Sequence, residues 1–181
     1  MLEQDNPEGV SQSSLKELFG LPSEPLEQDL RQLAEKLKAR RLMLATAESC
    51  TGGMIAAACT DLAGSSEWFE RGFVSYSNAA KTDLLGVPAM LILLHGAVSE
   101  PVARAMATGA VLRSQAQVTI AVTGVAGPGG GTEAKPVGTV WFGWQVDGAL
   151  HSEVQHFAGD RASVRMATMM HAVKRVNELL G

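Results

Sequence analysis

Residues 46–53 read Thr46-Ala47-Glu48-Ser49-Cys50-Thr51-Gly52-Gly53, and they divide an apolar run from an amphipathic one. Upstream, Leu42, Met43, Leu44 and Ala45 form a short run suited to a buried strand. Downstream, Met54 to Leu62 predicts a helix that buries Met54, Ile55, Ala58 and Leu62. The stretch therefore reads as strand, turn, helix, with Ser49 near the carboxyl end of the strand. In open α/β sheets that end is where ligands bind, and a helix starting there offers unpaired N–H groups to an anion or oxyanion. Gly52 and Gly53 let a ligand approach the backbone closely. In the plainer alternative Thr51 is an N-cap and Ser49 an ordinary turn residue.

Working back towards the amino terminus, Leu26, Leu30, Leu33, Ala34 and Leu37 recur at spacings of three and four, which predicts an amphipathic helix ending in Lys38, Arg40 and Arg41. Residues 1–25 carry Pro7, Gly9, Pro22, Pro25 and several serines, a composition that predicts a poorly ordered arm with at most a helical turn at 14–19. The folded domain is accordingly expected over 26–181.

Working forward, Gly72 to Ser77 predicts a second strand, and Asn78 is placed to cap a helix through Leu85, with Lys81 in its first turn and Tyr76 just before it. On spacing alone these two are better read as a half-buried strand aromatic and a surface cation. Residues 86–96 give no clean period and read as a short helix and loop. Ser99, Glu100 and Pro101 open a helix through Ser114, and Gln117 to Thr123 is a β-branched third strand. That strand runs into Gly124 to Lys135, a loop with five glycines that has neither the GKS/T ending of a P-loop nor the spacing of a dinucleotide fingerprint. Val137 to Val146 and Leu150 to Phe157 flank Asp147-Gly148, a strong hairpin signal. A last helix follows Gly159-Asp160-Arg161, with Arg161 and Arg165 at its start. The sum is a three-layer α/β/α domain with a mixed five-stranded sheet whose last two strands form an antiparallel hairpin.

The whole chain bounds its function. With 181 residues and 46% hydrophobic content it suits a single domain with a real core. A net charge of −4 without a block of like charge argues against nucleic acid as a partner. Its two cysteines, Cys50 and Cys59, lie on one segment, and the four histidines are scattered, so no metal site is expected. No run approaches the roughly 20 apolar residues of a membrane span, and the polar, acidic start does not resemble an export signal. A cytoplasmic protein with reduced thiols is expected.

Four stretches together resemble one family: TAESCTGG from Thr46, GSSEWFERGFVSYSNAAK from Gly64, HGAVSE from His95 and TGVAGPGGGTEAKPVGTVW from Thr123. The chain is similar to the carboxy-terminal domain of the CinA (competence/damage-inducible protein) family over about residues 27–180, without the separate amino-terminal domain of full-length members. The resemblance implies a nicotinamide mononucleotide deamidase that needs no cofactor and tends to form homo-oligomers. It implies that Ser49 is the nucleophile with Tyr76 and Lys81 beside it, and it marks Thr123 and Arg161. Cys50, Thr51, Gly52 and Gly53 are then expected to supply oxyanion donors, and Thr123, Gly124, Gly127 and Arg161 to hold the nucleotide. An acyl-enzyme route needs a base for the serine proton, and Lys81 serves only if its pKa is depressed, with Tyr76 as a relay or orienting group. The competing expectations are a non-catalytic nucleotide-sensing module and a Cys50 thiol hydrolase, the latter without a histidine to activate it.

Overall fold

The computed structural model describes residues 24–181. Helix α1 spans Glu24–Arg40, β1 Leu44–Glu48, α2 Met54–Asp61, β2 Phe69–Val74, α3 Asn78–Leu85 and α4 Ala89–His95. They are followed by α5 Glu100–Leu112, β3 Val118–Gly124, β4 Thr139–Val146, β5 Ala149–His156 and α6 Arg161–Leu179, with one 3₁₀ turn at Ser65–Glu67. The arm and the helical turn expected at 14–19 lie outside the described residues, except that Glu24 and Pro25 belong to α1. A proline in the first helical turn removes only an N–H that has no intrahelical partner, so the helix begins before the expected boundary.

The five strands form one sheet in the order β2-β1-β3-β4-β5. β1 pairs parallel with both β2 and β3, whereas β3–β4 and β4–β5 are antiparallel. The chain leaves β1 for β2 on one side and returns to β3 on the other. The carboxyl end of β1 is thus a topological switch point, where the two outgoing connections diverge and leave a crevice. β1 is buried along its whole length, which is why LATAE lacks the alternation of a half-exposed strand.

Helices cover both faces of the sheet. The larger core joins α1, α2 and α6 to Leu44, Ile120, Val122, Val140, Phe142 and Trp144, and the smaller joins α3, α4 and α5 to Ala47 and Ala121. On the second face α5 lies so near β4 that a Cβ at Gly143 would stand 2.5 Å from the carbonyl oxygen of Ala103. The alanines and glycine of these elements allow that approach. The hairpin forms at the expected place: Asp147 and Gly148 both have positive φ, 52° and 78°, as the two central residues of a type I′ turn require. The segment 86–96, which has no clean period, holds the seven-residue helix α4 with Met90, Leu93 and Leu94 exposed.

Candidate active site

Ser49 follows the last residue of β1, and its N–H still donates to the carbonyl of Val122 on β3, 3.1 Å away. Beyond it the chain turns through Gly52 and Gly53 at φ of 62° and 98°, values that strain any side-chain-bearing residue. The expectation of free N–H groups at the start of α2 requires correction. Glu48, fully buried, turns its carboxylate onto that helix end. Its Oε2 accepts from Thr51 Oγ1 at 2.6 Å, Gly53 N at 3.0 Å and Ile55 N at 3.1 Å, and its Oε1 accepts from Ala56 N at 2.8 Å. Gly52 N donates to Ser49 O. Thr51 uses its hydroxyl, and Gly52 and Gly53 use their amides, to build the turn instead of meeting a ligand. The Cys50 and Thr51 amides are the ones in this turn left without a carbonyl or carboxylate partner. Arg165, from the first turns of α6, fixes the outside of the turn by donating to Cys50 O at 3.2 Å and Thr51 O at 2.7 Å.

Lys81 comes to Ser49 from α3. Ser77, not Asn78, is the N-cap, its Oγ accepting from Ala80 N at 3.0 Å, so Lys81 sits in the first turn one residue further along than the Asn78 reading implied. α3 packs against α5 and turns Lys81 inward, leaving it 1% exposed. Its Nζ lies 3.0 Å from Ser49 Oγ, 3.0 Å from Ser75 O and 3.3 Å from Tyr76 O. An ammonium would donate to all three. A neutral amine keeps its two N–H groups on the carbonyls and turns its lone pair to the Ser49 hydroxyl. Burial holds the Lys81 pKa below its ordinary value, with the nearby Cys50 acting weakly in the other direction. The Cys50 thiol is itself pushed up to about 11, chiefly by burial, so it is protonated at neutral pH and makes a poor nucleophile.

Ser49, Cys50, Tyr76, Lys81, Thr123, Gly124 and Arg161 share one cavity of about 210 Å³. Tyr76 stands differently from the expectation. Its main-chain carbonyl meets Lys81, while its ring is 59% exposed and its hydroxyl accepts from Arg161 Nη2 at 3.0 Å. No bond joins the phenol to Ser49 or Lys81 among the described residues. Thr123 Oγ1 donates to Ala97 O at 2.9 Å, tying β3 to the loop before α5. Arg161 also donates to Gly127 O at 3.0 Å. A second cavity of about 490 Å³ adjoins the first at Ala126 and Arg161 and is walled by Gly127, Pro128, Asp160 and Arg165. Asp160 caps α6 through Ser163 N and Oγ, which lowers its pKa.

Glu48 and Arg165 were not singled out by motif. Glu48 lies within TAESCTGG and its role depends on the side chain folding back over the helix that follows, for which the sequence offers no local signal. Among the described residues no group of three or more His, Cys, Asp or Glu is arranged to hold a metal ion, and no helix is long and apolar enough to cross a membrane.

Comparison with known proteins agrees with this layout. The nicotinamide-nucleotide amidohydrolase PncC of Escherichia coli (strain K12) is 48% identical over 155 residues, 82% of this chain and 93% of that protein. A putative competence-damage inducible protein of Symbiobacterium thermophilum is 50% identical over 172 residues, but this chain spans only 40% of its length. A solved structure of the competence/damage inducible protein CihA from Agrobacterium tumefaciens superposes with a TM-score of 0.85 at 42% identity, covering 88% of this chain and 98% of that one. The family model of the CinA C-terminal domain matches residues 26–180. A buried lysine against a serine at the switch point, the four motifs in order and a match over nearly the whole domain lead to one conclusion: this chain belongs to the CinA C-terminal domain family.

Proposed function

We propose that the protein hydrolyses the carboxamide of nicotinamide mononucleotide to nicotinate mononucleotide and ammonia, through an acyl-enzyme on Ser49 with Lys81 as the base. The observation that carries this is the buried Nζ of Lys81, 3.0 Å from Ser49 Oγ, with two carbonyls to take its own hydrogens. The amidohydrolase activity in the names of relatives at 48% identity supports the reaction class. In the first step Ser49 Oγ bonds to the amide carbon while its proton passes to Lys81 Nζ. Collapse of the tetrahedral intermediate breaks the C–N bond, and Lys81 gives the proton to the departing nitrogen, releasing ammonia. Water then attacks the ester, Lys81 takes its proton, and the C–O bond to Ser49 breaks as that proton returns to the serine.

The Cys50 and Thr51 amides are the donors available for the oxyanion, each such donor being worth about 3 kcal/mol. The ring and carboxamide fit the smaller cavity, where Tyr76 offers an aromatic wall to a cationic pyridinium. The ribose phosphate extends past Arg161 into the larger cavity, where Arg161 and Arg165 supply charge. Together the two cavities fall within the roughly 300–1,000 Å³ of ordinary ligand sites, which the smaller alone does not reach.

The test is to incubate the protein with nicotinamide mononucleotide and measure ammonia, with NAD and free nicotinamide as controls. Release from the mononucleotide that disappears in Ser49→Ala is expected. Binding of the mononucleotide without ammonia would favour the non-catalytic sensing module, and full activity of Ser49→Ala would overturn the nucleophile. A cytoplasmic, self-associating protein belongs to the same proposal, with light scattering of the purified chain as the check on assembly.

A further inference from the structure

We propose that Glu48 is a positioning residue for Ser49, holding the turn that presents the serine hydroxyl to Lys81. This rests on Ser49 being the nucleophile. Glu48 has no exposed surface, and its four side-chain bonds all go to residues 51–56, the segment that leaves Ser49. α2 has no side-chain cap of its own, because its N-cap is Gly53. The carboxylate at the end of β1 takes over that role from before the turn. It closes a clasp around Ser49 and Cys50.

The main chain of Glu48 reaches the other half of the pair. Its carbonyl accepts from Ser75 N at 2.8 Å, and the Ser75 carbonyl accepts from Lys81 Nζ. Ser49 is held on its amino side by β3 through Val122 and on its carboxyl side by the clasp, so its Cα is fixed where the Oγ can reach Nζ, 3.0 Å away. A second effect follows from charge. A carboxylate on the first amides of α2 offsets the positive end of that helix and takes three N–H groups that would otherwise attract an anion. The Cys50 and Thr51 amides, on the Ser49 side of the clasp, lie outside it and stay available to the substrate oxyanion.

A cap serving stability alone and a clasp serving position differ in what they change. Glu48→Gln keeps the shape but turns an amide NH₂ toward N–H or O–H donors, and Thr51→Val removes one bond while leaving the carboxylate in place. For each we would measure kcat and KM with nicotinamide mononucleotide, the inactivation rate by phenylmethylsulfonyl fluoride, the pH profile and Tm, beside Ser49→Ala. For Glu48→Gln, kcat and the sulfonylation rate are expected to fall together by about 10²-fold, the scale of a misplacement near 1 Å, with KM and the apparent pKa retained. Thr51→Val is expected to follow in the same direction with a smaller loss, and it carries the test alone if Glu48→Gln does not fold. A lower Tm with unchanged kcat and sulfonylation rate in folded variants would overturn the inference. If Ser49→Ala is dead while both clasp variants keep full turnover, the role of Glu48 fails and that of Ser49 stands. If Ser49→Ala is active, both fall.

Discussion

The two ends of the cleft are built from opposite materials. At one end Ser49 and Lys81 are 8% and 1% exposed, surrounded by main-chain carbonyls and the clasp of Glu48. At the other, Arg161 is exposed and reaches Tyr76 and Gly127 from the start of α6, beside a glycine loop whose residues 128–134 stand in solvent. The difference matches what the proposed function asks of each end. Burial lowers the pKa of a lysine and so makes it a better base near neutral pH, whereas a guanidinium stays charged wherever it is and suits recognition of an anion. Under the proposed function, chemistry sits in the core and recognition at the rim.

The largest expected effect is at the buried end. Ser49→Ala and Lys81→Ala should each lower kcat by at least about 10³-fold, and the double variant should be hardly worse than either, because residues that act as one unit are strongly non-additive. Lys81→Arg should fail nearly as badly, since a guanidinium cannot accept the serine proton. Steady-state rates of folded variants check this, and an active Lys81→Arg enzyme would leave Lys81 a positioning charge.

At the open end the effect should be smaller and fall on another constant. Arg161→Ala removes charge-assisted bonds, each worth about 1.5–3 kcal/mol, so KM should rise roughly 10- to 100-fold with a lesser change in kcat. Raising the salt concentration should increase KM a few-fold and leave kcat nearly unchanged, because exposed charges are screened and buried ones are not. A loss confined to kcat in Arg161→Ala would erase the division between the two ends.

The pH dependence sharpens the same contrast. With Lys81 depressed by burial, kcat/KM should rise with pH and level off at an apparent pKa below the free value of about 10.4. For stability, the unfolded chain binds more protons than the fold between the depressed value and the free one. The burden of burying the ammonium is therefore fully present below the folded pKa and is relieved as pH rises through it. Lys81→Met should be inactive yet unfold in urea at least as late as the wild type at pH 7, with its advantage shrinking at higher pH. A less stable Lys81→Met at every pH would mean that the three bonds of Nζ outweigh its desolvation.

The smallest effect is expected at Lys135, which ties the glycine loop to α4 by donating to His95 O at 2.9 Å. Lys135→Ala removes one exposed bond, worth about 0.5–1.5 kcal/mol, and should raise KM by no more than about tenfold without altering the pH profile. A shifted profile would connect the rim to the base.

Local patterns in the sequence determined much of this molecule. The strand-turn-helix at Ser49, the Asp147-Gly148 hairpin and the helical stripes of α1 and α6 are written in periods and turn residues that act within a few positions. The meeting of Ser49 with Lys81, 32 residues apart, could be expected from motif resemblance, but its distance and burial depend on how α3 packs on α5. Tyr76 illustrates the limit: its place in the chain put it near the pair, and only packing decided that its carbonyl faces Lys81 while its ring turns to Arg161. Nothing local in TAESCTGG marks Glu48 as a cap, because its carboxylate reaches the start of α2 only once β1 and α2 have been set at their final angle. Propensity and periodicity act along the chain, whereas burial, hydrogen-bond partners and the resulting pKa values are properties of surfaces brought together, and the tertiary structure alone decided those.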